Sequence, residues 1–572
     1  MATRFDDAIA ATDRALRASR PMRTWLGSLR WCGDSVRGTT RLAVKDRALL
    51  SETGIEAIVF FLLQAMDPDT GARPIHLPLS IASARLDPTA FELQADRHSF
   101  YVMEAERRES FARFVVDAFR RAAKVPTESG DSLNFHGEGI SAFRGASPIP
   151  GGDTSNVVLR ITTGSGDVVL KSYKFLDTGN REPDILARLH ARKFPHVARF
   201  LGEVALGRGV DRLVLGVATE HIEADDLFAW LYDGWRHTLD REVNPNEDFE
   251  EATLDVAADL GEATAALHDA LVDRHPGFWH PEPFTEEDFR GMFKSATRSL
   301  GAALRRLGQL AHAEEPSLAE SARMARTRLL ELRAPIEETL RHLEAHVGGV
   351  KSVIHSDLHL AQVLRRRADG VLLFIDFEGE PERVLGERGR KLPPLRDVGS
   401  MVRSFAYVRN YVIRDLVRDI ANSTLPSEPG VLLGPPEGAM DRMRGWEEDM
   451  VGRFTGTYLS HSTLHHTRDA KEAGRLIRGW AMEKALYELE YELKHRVANF
   501  PIPLEGIAAP RGLRTAEPIK VLESASAAEG PSGLQPDPVR IPTGAFHPGR
   551  IACVRGTFPL IGGTHGNPTL FH

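Results

Sequence analysis

The chain has 572 residues, with 72 Lys and Arg against 80 Asp and Glu and a formal net charge of −8. That length allows two or three domains with sizeable cores, and the charge balance removes the electrostatic case for nucleic acid or an anionic membrane as partner. Two cysteines, Cys32 and Cys553, make no disulfide framework, so a reducing, cytoplasmic setting is expected.

The N-terminal stretch is charged and helix-patterned, without the apolar core of a signal peptide. Phe5, Ile9, Ala10, Thr12 and Leu16 fall at helical spacing. Arg23-Thr-Trp-Leu26 and Arg30-Trp-Cys-Gly33 read as a turn with buried tryptophans. Strand-like runs follow at 41–44, 57–63, 75–81, 91–93 and 100–104, punctuated by Gly, Pro and Asp, which predicts a small, mainly antiparallel sheet. The longest apolar run, Ala57 to Leu63, is far too short to cross a bilayer. Phe111, Phe114, Val115, Ala118 and Phe119 predict a helix over 109–123. Residues 1–125 are thus expected to form an N-terminal cap subdomain without a catalytic constellation of its own.

A nucleotide-binding subdomain is expected over 126–224. Gly151-Gly-Asp-Thr-Ser-Asn-Val-Val158 is a Gly/Ser/Thr turn between strands. It reads either as an ordinary hairpin turn or as a loop whose backbone N–H groups, with Ser155, approach phosphates. Lys171 ends the apolar run Asp167-Val-Val-Leu-Lys-Ser172, where a strand lysine would hold nucleotide phosphates and pair with a helix acid. Asn180-Arg-Glu-Pro-Asp184 opens a helix over 185–193 with Pro183 in its first turn. Asp184 is the expected partner of Lys171, with Glu182 second. The run Leu213 to Ile222 leads to an interlobe hinge, where backbone groups near Glu220 and Ile222 would meet adenine.

The remainder, 225–507, reads as mainly helical. His268, on a helix over 254–271, is expected to be a packed side chain. Thr285-Glu-Glu-Asp288 reads as a capping-box variant, and 317–345 continues as helix, interrupted near Pro335. The charges here read as solvated faces with i,i+4 pairs. Two short apolar runs, Val353 to Leu364 and Val371 to Glu378, are then joined by a polar loop, Arg365 to Gly370, of the kind that turns a hairpin. Asp357 interrupts the first run, on a turn where its opening strand should end, and Asp376 falls at the end of the second. A carboxylate placed to take a proton from an alcohol, and a carbonyl (Gln362) and second carboxylate (Asp376) able to hold Mg²⁺ against phosphates, suit phosphoryl transfer to a hydroxyl. Asp397 opens the next helix, either complementing its N-terminus or contacting an acceptor. On the helix over 480–494, Lys484, Tyr487, Glu488 and Tyr491 share one face. Residues 508–572, rich in Gly, Pro, Ser and Ala, read as a flexible tail.

His355-Ser-Asp-Leu-His-Leu-Ala-Gln362 followed by Ile375-Asp-Phe-Glu378 resembles the catalytic and metal loops of the aminoglycoside-phosphotransferase-like kinases. Its particular form, with Gly379-Glu-Pro381, Pro394-Leu-Arg-Asp-Val398 and Met401-Val-Arg-Ser-Phe405, is similar to the bacterial maltokinases and their glucosamine-kinase relatives. The likeness covers the chain to about Ile507. It implies an α+β, bilobal protein-kinase-like fold: an N-terminal cap, a small mixed-sheet nucleotide lobe and a large, mainly helical C-lobe. By the same resemblance Asp357 is the base, Gln362 and Asp376 bind Mg²⁺ with Glu378 in support, and His359, Asp397, Lys484, Tyr487 and Glu488 line a sugar site. The implied reaction is transfer from ATP to maltose, giving maltose 1-phosphate for α-glucan and trehalose metabolism. The alternatives are another sugar such as glucosamine, or a catalytically inactive kinase-like binding protein. With no barrel-like domain in the sequence, a trehalose synthase partner would be a separate chain.

Overall fold

The computed structural model describes residues 5–32, 36, 40–67, 71–149, 156–240, 247–380, 390–423 and 438–508. Ser155, Pro381 and residues 509–572 therefore lie outside the described residues.

The chain opens with α1 (Asp6–Ala18) and α2 (Arg20–Gly27), followed by strands β1 (Arg41–Glu52), β2 (Glu56–Asp67), β3 (Gly71–Ala82), β4 (Phe91–Ala95) and β5 (His98–Glu104), then α3 (Glu109–Arg120). The five strands form one antiparallel sheet in the order β1-β2-β3-β5-β4. The unbroken apolar run in β2 has a reason: alternate residues of a strand face opposite ways, and both faces are covered. Ala57, Val59, Phe61 and Leu63 join a core with α1, whereas Ile58 and Phe60 join the main core with α3.

Next come β6 (Lys124–Pro126), β7 (Ser132–Gly137), β8 (Phe143–Pro148), β9 (Val157–Thr163), β10 (Gly166–Ser172), α4 (Glu182–Ala191), β11 (Phe200–Leu206) and β12 (Leu213–Glu220). These seven strands make a second sheet, β6-β7-β11-β12-β10-β9-β8, paired antiparallel throughout. Strand β12 lies at its centre and runs directly into residues 221–223 and β13 (Ala224–Asp226).

The third part is helical: α5 (Leu227–Asp240), α6 (Glu247–Ala270), the short β14 (Glu282–Pro283), α7 (Glu286–Leu310), α8 (Pro316–Glu331) and α9 (Arg333–Arg341). The capping box forms, Thr285 accepting from the Asp288 N–H. The break before Pro335 falls at Leu332, and the proline sits in the first turn of α9, where it leaves no intrahelical bond unmade. Then follow β15 (Val350–Lys351), β16 (Val363–Arg366), β17 (Leu372–Phe374), α10 (Leu395–Ser423), α11 (Ala439–His461), α12 (Ala470–His495) and α13 (Pro501–Ala508). Val398, Met401, Phe405 and Val408 of α10 are fully buried. The hairpin is β16–β17, and β13 pairs with β16. Asp357 lies on a loop, as expected, but Val353 and Ile354, expected to open a strand before it, belong to that loop as well. The fold is kinase-like: a sheet lobe, a hinge strand and a helical lobe, with the N-terminal sheet added. No helix among the described residues is long and apolar enough to cross a membrane.

Candidate active site

Where the two lobes meet, Lys171 on β10 stands among three carboxylates. Its Nζ lies 2.8 Å from Glu182 Oε2 and 2.6 Å from Glu378 Oε1, and it also pairs with Asp376 Oδ1. Burial alone would push the ammonium down, but Asp376, Glu182 and Glu378 outweigh it and hold Lys171 well above its usual range. Burial pushes the Glu378 carboxyl up; Lys171 opposes that rise, and Asp376 and Glu182 add to it. Tyr173 donates to Glu182 Oε2 at 2.5 Å, fixing the acid from its other side.

The expected partner, Asp184, is displaced from this role. Residues two apart on a helix point about 200° apart, so with Glu182 facing Lys171, Asp184 faces away. Its carboxylate pairs instead with Arg212 at 2.8 Å and Arg181 at 3.3 Å. The second candidate, Glu182, is the one that meets Lys171.

Gln362, Asp376 and Glu378 converge as the sequence suggested. Glu182, Asp376 and Glu378 offer oxygens within 4.8 Å of one another. Gln362 donates from Nε2 to Asp376 Oδ2 at 2.9 Å, so its amide would have to turn over to present oxygen to a cation at Asp376. The donor set is all oxygen, and three carboxylates face one ammonium, an excess of negative charge that fits a hard divalent cation such as Mg²⁺.

The Asp357 loop is held from three directions. Asp397 accepts the His355 N–H at 2.7 Å and the Ser356 N–H at 3.0 Å. His355 donates from Nε2 to the Ile375 carbonyl at 2.9 Å, tying the loop to the hairpin. Arg396 donates to the Ser356 carbonyl at 2.8 Å. These bonds maintain Ser356 at φ +73° and frame a backbone in which Asp376 also has φ +66°, conformations that cost L-residues with a Cβ. Asp397 is fully buried and also faces His268 Nε2 at 3.2 Å. It is a clamp on the loop rather than a sugar contact, which corrects the resemblance-based assignment: its oxygens are spent on buried donors. His268 is the packed side chain expected, its other nitrogen 2.9 Å from the Tyr458 hydroxyl.

Lys484, from the far end of the sequence, reaches Asp357 Oδ1 at 2.7 Å and Glu380 Oε1 at 2.9 Å. Burial works to raise the Asp357 carboxyl, but Lys484, and after it His359, hold it below the usual carboxylate range. His359 Nε2 lies 3.9 Å from Asp357 Oδ2. The helical face read from spacing exists: Lys484 lies 4.9 Å from the Tyr487 ring centroid, and Tyr487 stacks on Tyr491 at 6.4 Å. Glu488 pairs with Arg403 at 3.1 Å. Around them Arg396 bridges Glu380 at 2.7 Å and Glu483 at 3.3 Å.

At the hinge, Glu220 gives its N–H to the Arg199 carbonyl and His221 to the Asp167 carbonyl, which fixes the backbone beside Ile222. A cleft lined by Arg181, Ser356, Glu378 and Gly379 opens between α4 and the Asp357 loop. Glu380, Arg396 and Arg403 lay inside motifs the sequence singled out, yet nothing local distinguished them as ion-pair partners of Glu483, Glu488 and Lys484. Asn156, which donates to Glu378 Oε1 at 2.7 Å, was likewise visible only as part of a turn.

Residues 145–411 match the model of a family described as phosphotransferase enzymes. A glucosamine kinase of Streptacidiphilus jiangxiensis is 26% identical over 285 residues, 48% of this chain and 58% of that protein, so the match takes in little more than half of the relative's length. A glucosamine kinase structure superposes with a TM-score of 0.56 at 20% identity, covering 86% of this chain and 98% of the other. A second, in complex with glucosamine, ADP and inorganic phosphate, gives 0.51 at 19% identity, with 85% and 98% covered. These likenesses bear on fold, and the family match falls on the hinge, the Lys171 cluster and the Asp357 loop. Over residues 145–411, a little under half of the chain, the similarity is therefore to phosphotransferase enzymes.

Proposed function

We propose that the protein is an ATP-dependent kinase that phosphorylates a hydroxyl of a sugar, an amino sugar of the glucosamine class first among them. The observation that carries the reading is that Asp357, paired with Lys484, sits on the loop whose Ser356 lines a cleft together with Glu378 of the Lys171 cluster. Asp357 accepts the proton of the acceptor hydroxyl as its oxygen bonds to the γ-phosphorus of ATP and the bond to ADP breaks. Lys171 binds nucleotide phosphates and Glu182 holds Lys171 in place. Asp376, Glu378 and, with its amide turned, Gln362 would hold Mg²⁺, which when bound neutralises phosphate charge. Asp397 and Arg396 keep the loop still, so that orientation is established before the acceptor arrives.

One observation bears on the acceptor: the relatives named above are glucosamine kinases. Maltose is the second reading, favoured by the resemblance of Gly379-Glu-Pro381 and of the Lys484–Glu488 segment to the maltokinases. ADP release with Mg²⁺-ATP over glucosamine, maltose, glucose, trehalose and an aminoglycoside tests it. Turnover greatest with glucosamine is expected; turnover with maltose alone overturns the amino-sugar assignment, and none with any sugar overturns the kinase reading.

A further inference from the structure

Among the described residues the N-terminal cap carries no catalytic constellation of its own, yet a hydrogen-bonded path from it ends on the Lys171 cluster. Arg30, just after α2, donates from Nη2 to the main-chain oxygen of Asn156 at 3.2 Å. Asn156 is 8% exposed and immediately precedes β9. Its Nδ2 donates to Glu378 Oε1 at 2.7 Å, the same oxygen that meets Lys171.

The anchor behind this path is bonded at several points. Strand β3 exchanges main-chain bonds with the segment after β10: His76 N–H to the Lys174 carbonyl at 2.9 Å and Leu176 N–H to the Pro74 carbonyl at 3.0 Å. Lys174 and Glu106 form an ion pair with neither side chain exposed. Beside Arg30, Trp31 donates to Glu104 Oε1 at 2.7 Å, and the Lys174 ammonium lies 5.4 Å from the Trp31 ring.

Glu378 shares its surroundings with Asp376 and Glu182, and two donors meet its Oε1, Lys171 and Asn156; when Lys171 turns to nucleotide phosphates, Asn156 is the donor of that pair that stays on Glu378. An amide N–H fixes orientation without cancelling the negative charge that a cation needs, whereas a carboxylate at 156 would add repulsion. We propose that Asn156 is a positioning residue for the cation and nucleotide site, and that the N-terminal cap acts through Arg30 and Asn156 to aim Glu378. The inference rests on the kinase reading above. Partners that orient metal-binding groups typically change metal affinity by about 10–100-fold when removed.

The test measures ADP binding to the full chain by calorimetry over a Mg²⁺ titration, and again in EDTA. Asn156→Ala should weaken the Mg²⁺-dependent part about tenfold, at the low end of that range. Asn156→Asp should weaken it further, and Arg30→Ala in the same direction by less, while ADP affinity in EDTA stays within about twofold. Arg30→Ala carries the test should the Asn156 variants fail to fold. Wild-type Mg²⁺ titrations in the folded variants overturn the proposal, as does an equal loss in EDTA, which marks general loosening. A wild-type protein that binds ADP without any response to Mg²⁺ overturns the kinase reading itself.

Discussion

Lys484→Met removes the ammonium that bridges Asp357 and Glu380, and its cost can be worked from what each acid retains. Side-chain exposure is 7% for Lys484, 13% for Asp357 and 2% for Glu380, so this is a buried pair. Breaking such a pair typically costs about 3–5 kcal/mol because a charge is stranded. Glu380 keeps Arg396 at 2.7 Å. The stranded group is Asp357, left with His359 at 3.9 Å and some access to water, which places the loss near about 3 kcal/mol. The variant also relieves itself by protonation. Its folded state then binds a proton on Asp357 that the unfolded chain has released, so its stability relative to wild type falls as pH rises. The acid limb of kcat/KM moves to higher pH for the same reason. Urea unfolding followed through Trp480, buried on the same helix, and a pH–rate profile together check this. A stability loss under about 1 kcal/mol at alkaline pH with an unmoved acid limb would refute the assignment of Lys484 to Asp357.

Glu182→Gln should weaken Mg²⁺-ATP binding about tenfold, whereas Asp184→Asn should change it by less than about twofold, since only the first touches Lys171; equal effects in a nucleotide titration would contradict the geometry. Ser356, at φ +73°, already bears the cost of a Cβ in the left-handed region, so Ser356→Gly should retain activity without losing stability, whereas β-branched Ser356→Val should unfold at lower temperature than wild type in a thermal scan. Burial raises Glu492 from 4.5 to about 7, with Arg496 opposing and Glu488 adding to the rise. The folded state therefore keeps a proton the unfolded chain loses, and wild-type stability should fall as pH rises through that window, by up to about 3 kcal/mol from this group. Glu492→Gln should lack that fall, so unfolding curves of the two that stay parallel between about pH 5 and pH 8 would count against it.

Asp357, Gln362, Asp376 and Glu378 group as a candidate constellation in the sequence because they lie close together in the chain, where residue type and spacing carry the geometry. The Lys484 face was legible for a similar reason, helical periodicity being a local property. Glu182 and Asp184 were harder to separate: both sit in the first turn of α4, and which one faces Lys171 depends on where the helix begins. Asp397 was read as a choice between helix end and sugar because its true partners, the N–H groups of His355 and Ser356, are 42 and 41 residues away. The tie between β3 and the segment after β10 leaves no local mark either, since main-chain pairing across about a hundred residues is indifferent to side-chain identity.

The central claim is that Asp357 takes the acceptor's proton while the Lys171 cluster binds the nucleotide. The measurement that meets it most directly is a single-turnover assay of Asp357→Asn with Mg²⁺-ATP and the best sugar of the panel, beside calorimetric ADP binding. The account predicts a fall of at least about 100-fold in phosphoryl transfer, the low end for losing a general base, with ADP affinity nearly unchanged. Transfer at the wild-type rate in that variant would contradict it.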